Sequence, residues 1–179
     1  MRGIVFTELF NMVSSVMSED MVDDIIDDCD LPNEGAYTQV GSYPHTEVIA
    51  LVAALSVRSG ISVHDLSVAF GKHLFGVFVN GYPTVFTDYE NSLDFLESID
   101  QRIHGEVRKL YPDAELPKFE YERNGSNLSM RYISARPFGS LCIGLVEGCK
   151  KHYGNDIEYT YQDNAPEVGA DILFNIRSV

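Results

Sequence analysis

An α+β fold is what the sequence predicts, on three observations. Before Lys118 the apolar residues recur at helical spacing, after it the period shortens to that of strands, and Asn124-Gly125-Ser126-Asn127 reads as a turn between two strand-like runs. Helices first and an antiparallel sheet later make that class. At 179 residues and 45% hydrophobic content the chain can bury a sizeable core. We expect a single domain over residues 1–179, with an N-terminal helical lobe over about 1–60 followed by a lobe of antiparallel sheet with helices over about 61–179.

Val5, Leu9, Met12, Val13 and Met17 lie on one side of a short first helix. In the acidic stretch from Glu19 to Asp30, Met21, Val22, Ile25, Ile26 and Cys29 hold one face while aspartates fill the other, and Pro32 stops the run. SEDMVDDIIDDCD lacks the glycine and the alternating oxygen ligands of a calcium loop, so this stretch reads as a solvated helix face. A loop rich in Gly, Tyr and Pro leads to Thr46-Glu47, which opens a core helix over Val48 to Val57 that ends at Gly60. Val63 to Phe78 carries Leu66, Phe70, Leu74 and Phe78 at intervals of four, with Gly71 and Gly76 flanking a crowded aromatic stretch against which something bulky packs; Tyr82-Pro83 breaks it. One long helix is expected from Ser92 to Tyr111, with Leu93, Leu96, Ile99, Ile103, Val107 and Leu110 on its apolar side and Pro112 closing it. Lys118 to Arg123 and Leu128 to Ser134 form a hairpin. Pro137 restarts a helix with Leu141, Leu145, Val146 and Cys149 on its apolar face, and Asp156 to Gln162 and Asp171 to Arg177 read as two more strands.

Thirteen Lys+Arg against 27 Asp+Glu leave a net charge of -14, which repels phosphate backbones and anionic bilayers, so neither nucleic acid nor membrane is an expected partner. The apolar runs are short, and MRGIVFTELF has neither a signal-peptide core nor a cleavage site, so a cytoplasmic location is expected. Three cysteines without CxxC spacing fit a reducing compartment. Phosphate-cradling glycine loops, GxSxG elbows, HExxH and paired CxxC motifs are absent, and no enzymatic turnover is expected.

Two constellations remain. His104 follows Leu93 by eleven residues, which at roughly 100° per residue puts both on nearly the same helix face. It reads either as a half-buried histidine bonded to a carbonyl or water, or as an imidazole ligand to a metal in an apolar pocket. Tyr132, Ser134 and Arg136 alternate on or just beyond one strand, so their side chains share a face. They form either an exposed polar strand face or an anion site, in which the guanidinium fork grips a carboxylate and the hydroxyls add neutral hydrogen bonds.

Tyr-x-Ser-x-Arg after a helical Ile-His-x-x-Val-x-x-Leu-Tyr-Pro, together with the opening MRGIVF, Phe70-Gly71 and Gly144-Leu145-Val146-Glu147-Gly148, resembles the haem-nitric oxide/oxygen-binding (H-NOX, HNOB) family of the bacterial stand-alone type over essentially the whole chain. The resemblance implies haem b between the two lobes. His104 would be the proximal iron ligand, Tyr132, Ser134 and Arg136 would hold the propionates, and Pro117 would press on the macrocycle and bend it. Leu74, Phe78, Ile103 and Leu145 would pack on the ring. The family's function is gas sensing: nitric oxide breaks the iron–histidine bond, the lobes shift, and a separate histidine kinase or cyclic-di-GMP enzyme responds. In oxygen-binding members a tyrosine, a tryptophan and an asparagine supply distal hydrogen bonds; those positions fall here on Leu141, Leu9 and Leu74, and Val5 completes an apolar gas pocket. NO and CO are therefore the expected ligands, with no stable O2 complex unless Tyr43, Tyr82 or His73 reaches in as a donor.

Cys142, Cys149 and His152 lie roughly on one helix face and offer two thiolates and an imidazole, but the later cysteines of zinc-binding relatives are missing, so reduced structural cysteines are preferred. Two other functions compete with gas sensing. One is a haem-free α+β module holding another carboxylate on Tyr132, Ser134 and Arg136; the other is a peroxidase, for which the distal residues offer no acid–base pair.

Overall fold

The computed structural model describes residues 1–110, 115–164 and 168–179. Helix α1 (Gly3–Val16) buries Phe6, Leu9, Met12 and Val13. Helix α2 (Glu19–Asp27) is started by Ser18, whose hydroxyl accepts the Met21 N–H, and Glu19 and Asp20 complement the positive end of its dipole. Only Ile25 is fully buried on α2, and the aspartates face solvent. Helix α3 (His45–Ser59) stops at Gly60, whose φ of 72° is the left-handed cap that glycine adopts without strain. Its Arg58 reaches back to Asp24 and Asp28, tying α3 to α2.

Helix α4 (Val63–Gly81) is capped by Ser62 and followed by the single turn α5 (Pro83–Phe86). The expected long helix from Ser92 is interrupted. Helix α6 (Ser92–Ser98) passes into a π-helical turn, Ile99–Ile103, before α7 (His104–Leu110) resumes the α-helix. A π turn inserts one extra residue without changing the apolar spacing enough to betray it. The expected stop at Tyr111 and Pro112 lies outside the described residues.

Strands β1 (Lys118–Asn124) and β2 (Asn127–Ser134) form the hairpin around Gly125-Ser126, with Gly125 at φ 57°. Helix α8 (Gly139–His152) separates them from β3 (Ile157–Asp163) and β4 (Ala170–Ser178). All pairings are antiparallel in the order β1-β2-β4-β3.

Helix α8 lies between the sheet and α4. Its Cys142, Ile143, Val146 and Cys149 join Met130, Tyr132, Ile172 and Phe174 of the sheet in one apolar cluster. Against α4 it crosses backbone to backbone: a Cβ on Gly71 would lie 2.3 Å from the Leu141 carbonyl oxygen, and one on Gly144 2.2 Å from that of Val68. The bulk packed at Gly71 is thus a helix backbone, whereas Gly76 faces open space. A second apolar cluster gathers Phe6, Leu9 and Val13 of α1, Ile25 of α2, Leu51 and Leu55 of α3, and Leu66, Phe70 and Leu74 of α4. Among the described residues no single helix is long and apolar enough to cross a membrane.

Candidate functional site

His104 opens α7 directly after the π turn, its backbone N–H donating to the carbonyl of Ile99. The side chain is only 14% exposed and packs near Phe119 of β1, ring centroids 5.6 Å apart. Burial lowers its pKa from the ordinary histidine value more than Asp100 raises it, so at neutral pH the ring is uncharged and carries a free lone pair. Its Nδ1 is buried without a hydrogen-bond partner, with Asp100 Oδ1 3.4 Å away.

Tyr132 lies on the buried face of β2 with Leu128 and Met130, and its ring meets Phe119 edge-on at 5.4 Å, so one aromatic side chain connects it to His104. Ser134 ends the strand, and its hydroxyl accepts the Arg136 N–H at 3.0 Å. The Arg136 side chain is mostly buried; its Nη2 donates to Glu115 Oε2 at 2.5 Å, and its Nε is buried without a partner. Glu115, exposed, has its carboxyl held below the ordinary value by that hydrogen bond. Around the same guanidinium stand the Met1 amino group and His45, both lowered in pKa, first by burial and then by the charge of Arg136. This corner favours a further negative charge.

The remaining expected residues fall on either side of a seam. Leu9 and Leu74 are buried in the amino-terminal cluster, with Val5 and Leu141 packed against it. Ile103, half-buried, packs on the cluster containing Tyr132. Phe78 and Leu145 pack on both clusters at once. Pro117 is half-buried immediately before β1. The polar groups considered as donors for the wall at Leu9, Leu74 and Leu141 are engaged or turned out: His73 Nε2 pairs with Glu8 at 3.0 Å, the Tyr43 hydroxyl accepts the Thr38 N–H at 2.9 Å, and Tyr82 is 57% exposed.

This donor set fits an iron porphyrin. It supplies one neutral imidazole, a guanidinium with two hydroxyls for two carboxylates, and flat apolar side chains between two cores. Among the described residues, four buried side-chain polar atoms lack partners; three of them, His104 Nδ1, Tyr121 Oη and Arg136 Nε, belong to this region and only Asn33 Oδ1 lies elsewhere. Asp100, Glu115 and Phe119 are parts of the site that sequence reasoning misses. Asp100 stands four residues before His104, a spacing that would have found it; Glu115 meets Arg136 only through the tertiary fold.

Cys142 and Cys149 are buried thiols whose pKa values are raised by desolvation, while His152 is exposed. Among the described residues no three His, Cys, Asp or Glu side chains converge as a metal site.

The sequence profile of the Haem-NO-binding family matches residues 2–161. An Fe(II) unliganded H-NOX protein from K. algicida is 35% identical, with a TM-score of 0.92 over 100% of this chain and 97% of that one. The H-NOX from Shewanella woodyi, solved in solution in the Fe(II)CO state with IWP-051 bound, is 38% identical, with a TM-score of 0.85 over 100% of this chain and 95% of that one. An S. oneidensis H-NOX in the Fe(II)NO state shares the fold at 22% identity, TM-score 0.87, over 100% of this chain and 99% of that one. A search of curated protein sequences gives no match.

Proposed function

Because the chain belongs to the Haem-NO-binding family, we propose that it is a haem-based sensor of nitric oxide that signals to a separate partner enzyme and turns nothing over. The observation that carries this reading is His104, buried, neutral and with an orphaned ring nitrogen, linked through Phe119 to the Tyr132, Ser134 and Arg136 run. Haem b would be held by His104 through its iron and by Tyr132, Ser134 and Arg136 through its propionates, and would supply a ferrous iron able to take NO or CO.

The chain's own residues do the rest. His104 offers its lone pair, Arg136 exchanges Glu115 for a propionate, and Tyr132 and Ser134 add neutral hydrogen bonds. Pro117, half-buried just before β1, would press on the ring, and Ile103, Leu74, Phe78 and Leu145 would exclude water from it. A donor hydrogen bond to a partly negative dioxygen ligand is worth about 1.5–3 kcal/mol, and Val5, Leu9, Leu74 and Leu141 contain none. NO and CO are thereby favoured over O2. Loss of the tether at His104 would free α7 and let the lobes, about 1–60 and about 61–179, shift at the Phe78 and Leu145 seam; a histidine kinase or cyclic-di-GMP enzyme that binds the two arrangements unequally would read the signal.

Absorption spectra of the ferrous protein alone, with NO, with CO and in air test this reading. We expect a Soret band that moves with NO and CO, and none of a stable O2 complex in air; such a complex would overturn the donor-free wall. A chain left colourless by ample haem would instead be a module for some other carboxylate. His104→Gly should lose haem retention unless free imidazole is supplied, and tight binding without imidazole would remove His104 as the ligand.

A further inference from the structure

The π turn at Ile99–Ile103 does more than interrupt a helix. It sets Asp100 and His104 side by side, Oδ1 3.4 Å from Nδ1, and that nitrogen has no other partner. A shift of a few tenths of an ångström brings the pair into hydrogen-bond range. Asp100 is itself fixed from beyond the turn: Arg108 Nη2 donates to Oδ1 at 2.8 Å and Nη1 to the Asp100 backbone carbonyl at 3.3 Å. One guanidinium thus clamps both the carboxylate and the peptide of the residue facing the imidazole. Phe119 covers the ring from the sheet, and the Tyr121 hydroxyl lies beside the Asp100 backbone.

We infer that Asp100, held by Arg108, is a positioning residue that accepts the Nδ1 proton of His104, thereby fixing the ring with Nε2 free for iron and raising its strength as a ligand. The inference rests on the reading of His104 as the iron ligand. A ligating imidazole whose other nitrogen donates to a carboxylate is a stronger base, and loss of such a partner typically costs about 10- to 100-fold in metal affinity. Here the carboxylate would set how strongly His104 holds the iron. Arg108 tempers it by drawing on the same oxygen.

The test is resonance Raman spectroscopy of the ferrous, haem-loaded protein, with the haem-loss rate measured in parallel. The iron–histidine stretching mode should move to lower frequency in Asp100→Asn, which keeps the shape and a neutral acceptor, and further in Asp100→Leu, which keeps neither. Haem loss should accelerate by roughly 10- to 100-fold in Asp100→Leu. Arg108→Gln, which leaves the carboxylate in place without its clamp, should broaden or shift the mode without abolishing it. A clip that only supports the helix would change thermal stability and leave the vibration where it was. An iron–histidine mode indifferent to both Asp100→Asn and Asp100→Leu overturns the inference alone. A wild-type protein that binds haem without any such mode overturns the ligand assignment, and this inference with it.

Discussion

Tyr132 near the end of β2 and Arg136 two residues beyond it would hold a carboxylate by different physics. A charge-assisted hydrogen bond contributes about 1.5–3 kcal/mol and a neutral one about 0.5–1.5. Arg136→Ala should therefore speed haem loss by more than Tyr132→Phe does, as followed by transfer to a haem-scavenging globin; equal rates for wild type and Arg136→Ala would sink the propionate assignment. At this scale the sequence was legible where one element carries the pattern. His104 is readable from Leu93 on one helix face, and Tyr132, Ser134 and Arg136 from strand alternation. Glu115 was not, because it has no periodic relation to anything near it and meets Arg136 across the fold. Asp100 is legible as the i, i+4 neighbour of His104, but its fixing by Arg108 is not, because that depends on the π turn that interrupts the helix predicted from Ser92 to Tyr111.

Among the elements, α4 and α8 cross where neither has a side chain. Gly144→Ala would drive a Cβ to 2.2 Å from the Val68 carbonyl oxygen, a backbone atom that cannot swing away. Overpacking of this kind costs about 1–3 kcal/mol, so the melting temperature should fall by about 2–12 °C, read by circular dichroism. The hydrophobic pattern announced both helices but not their crossing, since Gly71 and Gly144 are far apart in the chain and glycine contributes nothing to periodicity. The sheet offers a pH-dependent test. Arg131 on β2 donates two hydrogen bonds, at 2.9 and 2.7 Å, to Asp171 on β4, and this pairing lowers the carboxyl's pKa from its ordinary 3.8. A lowered folded value means stabilisation that is fully present above pH 3.8 and fades as pH falls through the folded value. Denaturant midpoints of Asp171→Asn should lie below wild type at neutral pH and converge with it in strong acid; a gap that persists in acid would assign the loss to packing instead.

For the molecule as a whole, the fold class was legible because the period of the apolar residues changes once, near Lys118, and the turn residues there leave little choice of connection. The meeting of two apolar clusters at Phe78 and Leu145 was not, because it depends on α4 serving both. A group held at that seam binds the native chain alone, and at a hundredfold excess over its Kd adds about 2.7 kcal/mol. Stripping haem should therefore lower the melting temperature by about 5–11 °C in differential scanning calorimetry; an unchanged transition would place the cofactor off the seam. The order β1-β2-β4-β3 also dictates how the domain comes to exist in time. The β1–β2 and β3–β4 pairs each join neighbouring strands in sequence and can zip within microseconds. The central β2–β4 pairing sets Ser134 against Ala170 and Asn127 against Arg177 with all of α8 lying between, so its loop must close before any contact rewards it. Docking of two ready-made hairpins around α8 is then the slow step: Tyr132 meets Phe119 already within the first hairpin, but takes its place against Ile172 of β4 and the apolar face of α8 only when that step is complete. A cofactor that needs both hairpins and α8 in place would be captured only after that docking, at a pace set by the sheet and not by the supply of haem.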